Sequence, residues 1–190
     1  ATPLYIAAQN GHEAVVRELI ELGVDINKAM KDSSKPLYIA AQNGHKAVVR
    51  ALIEASADIK KEYAHGGTTP LLIAAQLGHE AVVRELIKAG ADINKSRDIG
   101  ATPLYITAQN GHEAVVRELI EASADVNKAR DDGRTPLCIG AEKGHESVVR
   151  ALIAAGADIT KGATPLSIAK QKGHQAIVLA LTEAGANDKI

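Results

Sequence analysis

The chain repeats itself, and that constrains its fold more than any other feature. Residues 1–21, ATPLYIAAQNGHEAVVRELIE, recur at 101–121 with one change, Ala7 in the first copy and Thr107 in the second. A Thr-Pro-Leu signpost stands at Thr2, Thr69, Thr102, Thr135 and Thr164, and Lys35 fills the Thr slot of the remaining copy. All six prolines fall in this register, with Pro3, Pro36, Pro70, Pro103, Pro136 and Pro165 separated by 33, 34, 33, 33 and 29 residues. Such a chain stacks small units against their neighbours rather than folding around one central core. The spacing predicts a single domain over 1–190, with units at about 1–30, 31–63, 64–97, 98–130, 131–160 and 161–190.

Each unit reads as two short helices. In the fourth, Thr102 is placed to cap a helix whose first position is Pro103, where the missing N–H costs nothing. Leu104 to Gln109 forms that helix, and Asn110-Gly111 ends it through the left-handed conformation that glycine tolerates. His112 opens a second helix, with Val115, Val116, Leu119 and Ile120 on one face and the i,i+4 pair Glu113 and Arg117 on the other. A pair this short cannot bury its own apolar face, but pairs stacked in register bury one another. The small residues Ala7-Ala8, Ala40-Ala41 and Ala74-Ala75 let first helices approach closely, while Val-Val and Leu-Ile pairs fill the second-helix layer. A thin layer beside a thick one predicts a gently concave all-α solenoid.

With no Phe, no Trp and four Tyr in 190 residues, the core must be aliphatic. The net charge is −1, from 22 basic and 23 acidic residues that are interspersed, so no global field draws nucleic acid or an anionic membrane. Neither partner is expected. No apolar run reaches the roughly 18 residues of a membrane span. Cys138 is the only cysteine, which excludes an internal disulfide and points to a cytoplasmic or nuclear setting. The chain opens inside a repeat without a leading finger or a signal peptide, and it reads as an excised piece whose first unit is truncated at its N-terminus.

The pattern Asp-Gly-x-Thr-Pro-Leu-x-x-Ala-Ala-x-x-Gly-His-x-x-x-Val-x-x-Leu-Ile, ending Gly-Ala-Asp-Ile-Asn, resembles the ankyrin repeat. Residues 132–153 followed by Gly156-Ala157-Asp158-Ile159 show it most fully, and the resemblance covers essentially the whole chain in six units. It implies helix-turn-helix units joined by β-hairpin or loop fingers, and a non-catalytic module for protein recognition.

Departures from the pattern locate candidates for binding. After Thr-Pro-Leu or its variant the family usually has His, whereas this chain has Tyr5, Tyr38, Leu72, Tyr105, Cys138 and Ser167. That places a partly exposed row of large residues near the finger bases, either packed with hydroxyls solvated or serving a partner. The finger at 61–66 is one residue longer than its counterparts and holds Tyr63, the only aromatic in a finger, and His65. Four residues are missing between the fifth and sixth units. Lys35 forfeits the helix cap of the second unit, at about 1 kcal/mol. Ser56 and Ser123 stand in a helix-ending glycine slot, at roughly 1 kcal/mol each. In the sixth unit Lys170 and Thr182 replace Ala and Ile, and Gln171 and Lys172 follow Lys170, as suits a capping unit.

Six histidines, His12, His45, His79, His112, His145 and His174, share one repeat slot. Equivalent atoms of stacked units lie about 10 Å apart, too far for ligands at about 2.1 Å from one metal. They read as structural, and no metal or cofactor is expected. Cys138 and His145 lack a third orienting group and an oxyanion site, so no catalytic residues and no enzyme activity are assigned.

Mapping the family's variable contact positions onto this chain gives the partner-binding candidates. They are Lys31, Asp32, Tyr63, His65, Asp98, Ile99, Ala101, Asp131, Asp132 and Arg134 in the fingers, with Leu77, Glu142 and Lys143 on the first helices. The expected function is a protein–protein interaction module that meets its partner through the finger loops and the concave first-helix face, at units three to five. The alternatives are a structural spacer within a larger protein, favoured by the near-identical units, and an engineered scaffold assembled from natural repeats. A monomer is expected, with self-association through the uncapped first repeat as the competing state.

Overall fold

The computed structural model describes residues 1–30, 34–60, 62, 67–161 and 164–186. The chain divides into two compact units, 1–97 and 98–190. The first holds α1 (Pro3–Gln9), α2 (Glu13–Glu21), α3 (Pro36–Gln42), α4 (Lys46–Glu54), α5 (Pro70–Gln76) and α6 (Glu80–Lys88). The second opens with a 3₁₀ turn, Asp98–Gly100, followed by α7 (Pro103–Asn110), α8 (Glu113–Glu121), α9 (Pro136–Lys143), α10 (Glu146–Ala154), α11 (Pro165–Lys172) and α12 (Gln175–Glu183). The fold is all-α, and each unit is a two-layer stack of three helix-turn-helix pairs. In the first unit α3 packs between α1 and α5, and α4 between α2 and α6. In the second, α9 packs between α7 and α11, and α10 between α8 and α12.

Each first helix starts with proline at a position that donates no intrahelical bond. The hydroxyl oxygens of Thr2, Thr69, Thr102 and Thr135 accept from the amides of Tyr5, Leu72, Tyr105 and Cys138 at 3.1–3.2 Å. Lys35 makes no cap, as its side chain dictates; its ammonium instead lies 3.7 Å from the Asp58 carboxylate. Thr164 departs from the expected pattern. Its φ of −56° and ψ of 124° differ from the 154–166° ψ of the four capping threonines, and its hydroxyl accepts no cap bond. This threonine follows the connection that is four residues shorter than the others.

The layers follow side-chain size. Ala8, Ala40, Ala41, Ala74, Ala75, Ala108 and Ala141 are fully buried between first helices, and Leu52, Leu86, Leu119, Leu152 and Leu181 fill the second-helix layer. Burying one such leucine contributes roughly 1.5–3 kcal/mol.

The recurring histidine fastens one pair to the next within each unit. Nε2 of His45 stands 2.9 Å from the Gln9 carbonyl oxygen, His79 2.9 Å from that of Gln42, and His145 3.1 Å from that of Gln109. A carbonyl oxygen only accepts, so Nε2 carries the proton in each. The same rings cover the glycines that end the preceding first helices. At Gly44, where φ is 75°, an added Cβ would come within 2.8 Å of His79 Nδ1. Glycine is therefore required there twice, by backbone conformation and by the approaching ring. Ser56 and Ser123, at φ 67° and 68°, adopt the left-handed conformation that their slot imposes.

No strand occurs among the described residues. The finger 130–134 is a turn closed by Arg130 N–H to the Arg134 carbonyl at 2.9 Å and Gly133 N–H to the Arg130 carbonyl at 2.8 Å. This finger takes the loop form of the expected hairpin or loop. No described helix is long and apolar enough to cross a membrane.

Candidate functional site

The fingers of the second unit are built from adjacent turns. Asp98, Ile99 and Gly100 form the fourth finger, where Ile99 and Gly100 have φ of 67° and 74°. The Asp131 amide of the fifth finger donates to the Ile99 carbonyl at 3.2 Å. Asp98, Ile99, Asp131 and Asp132 are all exposed.

Charge then links finger to helix. Arg134 donates to Glu142 of α9 at 2.7 Å, and its Nε lies 3.8 Å from the Asp132 carboxylate. Arg130 pairs with Asp132 and lies over the Tyr105 ring of α7, 5.7 Å from its centroid. Burial pushes the Tyr105 hydroxyl above the ordinary phenol range, and the nearby Arg130 cation pulls against it. Partial burial also opposes ionisation of Asp132, but bonds from the Arg134 amide and the Arg130 guanidinium outweigh it and hold the carboxyl below its usual range. Lys143 is exposed and carries no ion pair among the described residues.

In the first unit, Leu77 follows the last residue of α5 and is exposed. Its repeat position has a structural use elsewhere: Asn43 Nδ2 donates to the Gln9 carbonyl at 2.9 Å. Leu77 has no donor to offer and Lys143, in the same slot, makes no such bond among the described residues, so both side chains are left to solvent.

Not all candidates survive. Ala101 is 1 % exposed, and its methyl group cannot reach a partner; Arg134, in the same repeat position, is long enough to emerge. Lys31, Asp32, Tyr63 and His65 lie outside the described residues. The row of large residues after Pro-Leu is not uniformly exposed either. Tyr5 and Tyr38 are half-buried, Ser167 is exposed, but Leu72, Tyr105 and Cys138 are fully enclosed. The Tyr5 hydroxyl oxygen accepts from Ser34 Oγ at 3.2 Å. Arg130 belongs to the charged network although the pattern did not single it out as a contact; it differs from Met30 in the equivalent slot, which was the available signal.

Among the described residues, one depression of about 200 Å³ lies among the loops, against Ile59, Lys60, Glu62, Ala91, Asp92 and Lys95, and others are shallow furrows between second helices. One of about 300 Å³ is lined by Arg150, Ile153, Ala154, Ala180, Glu183 and Ala184. It has an apolar floor with charges at the edge and lacks the converging polar groups of a small-molecule site. Among the described residues, no three His, Cys, Asp or Glu side chains are grouped to hold a metal ion.

Comparison with known proteins agrees with this architecture. A family model for ankyrin repeats matches residues 4–98, 71–161 and 128–190. The chain is similar to the crystal structure of the human ASB11 ankyrin repeat domain, at 28% identity and a TM-score of 0.88, covering 100% of this chain and 86% of that one. It is also similar to the crystal structure of an ankyrin repeat domain from Acinetobacter baumannii AYE, at 28% identity and a TM-score of 0.90, covering 97% and 98%. No curated protein matches the chain.

Proposed function

The chain belongs to the ankyrin-repeat family, a general protein–protein interaction fold, and from this premise we propose that it is a non-catalytic module whose finger loops and first helices bind a protein partner. The observation that carries this reading is where the repeats differ. Residues that recur are mostly buried or bonded to a neighbouring pair, as with the alanine pairs and the histidines. The exposed slots vary instead: Leu77 and Lys143 stand where Asn10 and Asn43 do, Ile99 where Asp132 does, and Asp98 and Asp131 share a slot that holds Lys31 and His65 in other repeats. A spacer needs uniform repeats, whereas a binding face needs diversity at exposed positions. The near-identity of 1–21 and 101–121 is the observation that favours the spacer.

The test is affinity capture from source-cell lysate with the chain and with a variant carrying Leu77→Ala, Arg134→Ala and Glu142→Ala. Proteins retained by the first and lost by the second support the reading. Equal recovery by both would reject these contacts and leave the spacer or an engineered scaffold as the better account. In solution we expect a monomer in a reducing, cytoplasmic or nuclear setting, consistent with the free Cys138. Ile6 and Val15 of the first repeat are exposed where their counterparts Ile39 and Val48 are buried, and this is the face through which copies would associate. Sedimentation across a concentration series decides between the two states.

A further inference from the structure

The fourth finger contains the most unusual backbone in the described chain. Ile99 has φ 67° and ψ 12°, a region open to glycine and tolerated by Asn and Asp but avoided by β-branched residues. Gly, Asn or Asp would build the same turn with less strain. The fifth finger does so, with glycine at its left-handed position, Gly133 at φ 81°. Asp132, at the repeat position of Ile99, spends its side chain on Arg130 and Arg134. The Ile99 side chain, by contrast, is 51% exposed. An apolar side chain has therefore been kept at a site where the backbone disfavours it and its own fold leaves it half uncovered.

The tip is also held in place. The Asp131 amide fixes the Ile99 carbonyl, and a Cβ added to Gly100 would collide with the Asp131 side chain. Two fingers thus lock one turn, which lowers the ordering cost of presenting its side chain to another molecule. Asp98 and Asp131 flank Ile99, are exposed, and have no ion pair among the described residues. Buried in an interface, these carboxylates would need donors from the other side.

The geometry points to Ile99 as a preformed apolar anchor that inserts into a pocket on a folded protein partner, whose rim supplies Lys, Arg or backbone N–H donors to Asp98 and Asp131. This rests on the binding reading above and narrows it to one contact. Backbone strain retained at an exposed position is a signature of function when the surrounding structure enforces it, and interface energy concentrates in a few such anchors.

The experiment places a photo-reactive diazirine amino acid at position 99 of the full chain, and in separate samples at 77 and 142, and irradiates each in source-cell lysate. A protein crosslinked through position 99 is then purified, and its affinity for the unmodified chain and for Ile99→Asn is measured by calorimetry. The expected result is a crosslink inside an apolar pocket and a loss of at least about tenfold in affinity with Ile99→Asn. The same variant should melt about 2–4 °C higher, because asparagine relieves the backbone strain. A higher melting temperature with unchanged affinity would overturn the inference and make Ile99 merely a poor turn residue. Crosslinks at 77 or 142 but none at 99 would also overturn it while leaving the binding reading intact. No crosslink at any of the three would defeat both.

Discussion

Helices α1 and α3 have the same seven residues, PLYIAAQ, yet they are held in opposite ways. The first has the better local chemistry, with Thr2 capping its N-terminus, whereas Lys35 leaves the second uncapped. Packing runs the other way. In the described structure α1 has one first-helix neighbour, and Ile6 is 47% exposed; α3 lies between α1 and α5, and the equivalent Ile39 is 8% exposed. Burying one isoleucine contributes roughly 1.5–3 kcal/mol and a cap about 1 kcal/mol. Neighbours therefore outweigh local sequence in setting how firmly each helix is held.

Core truncation should separate the two repeats most. Leu52→Ala removes a fully buried side chain and should cost about 2–5 kcal/mol, whereas Leu19→Ala, at the half-buried equivalent, should cost about 1–2. Urea unfolding of both variants measures the difference, and equal costs would break the comparison. The turns come next. Gly44→Ala combines left-handed strain with a collision against His79 and should cost about 2–4 kcal/mol. Gly23→Ala has φ of 74° but nothing within 4 Å of the new Cβ, and should cost about 1 kcal/mol. A common value for both would remove the histidine from the account.

A smaller effect is expected at the caps. Lys35→Thr should stabilise by about 1 kcal/mol, less whatever the Lys35–Asp58 pair contributes, and Thr2→Ala should destabilise by a similar amount. Lower stability in Lys35→Thr would mean that the ion pair outweighs a cap. The smallest effect concerns pH. The Arg50 side chain donates to Glu85 at 2.8 Å between α4 and α6, and this bond chiefly holds the Glu85 carboxyl below its ordinary value of 4.5. A carboxyl more acidic in the folded state stabilises the fold above the unfolded-state value, and that contribution is lost as pH falls through the lower folded-state value. Arg50→Met should flatten this acid limb in a stability-against-pH series by lowering stability slightly at neutral pH, with the two proteins converging at low pH where Glu85 is protonated in both.

The sequence disclosed those features that depend on one unit alone. Proline at the first helical position, threonine caps, the missing cap at Lys35 and the left-handed Ser56 and Ser123 all follow from local chemistry. Features that depend on neighbours or loop length were not legible. Tyr5 and Tyr105 both stand in Ala-Thr-Pro-Leu-Tyr-Ile, but one is half-buried and the other enclosed. Thr164 bears the right residue for a cap, yet its backbone differs where the connection is shorter. In the candidate surface, exposure at Leu77, Asp131 and Lys143 was readable from the repeat register. The enclosure of Ala101 was not, and Asp-Ile-Gly at 98–100 gave no sign that the isoleucine rather than the glycine alone would be left-handed.

Residue-resolved hydrogen exchange on α1 and α3 tests the central claim most directly, because the two heptapeptides are identical and intrinsic rates largely cancel. The account predicts stronger protection of the hydrogen-bonded amides in α3 than of their equivalents in α1, despite the absent cap. Equal protection, or stronger protection in α1, would contradict it and return control of helix stability to local sequence.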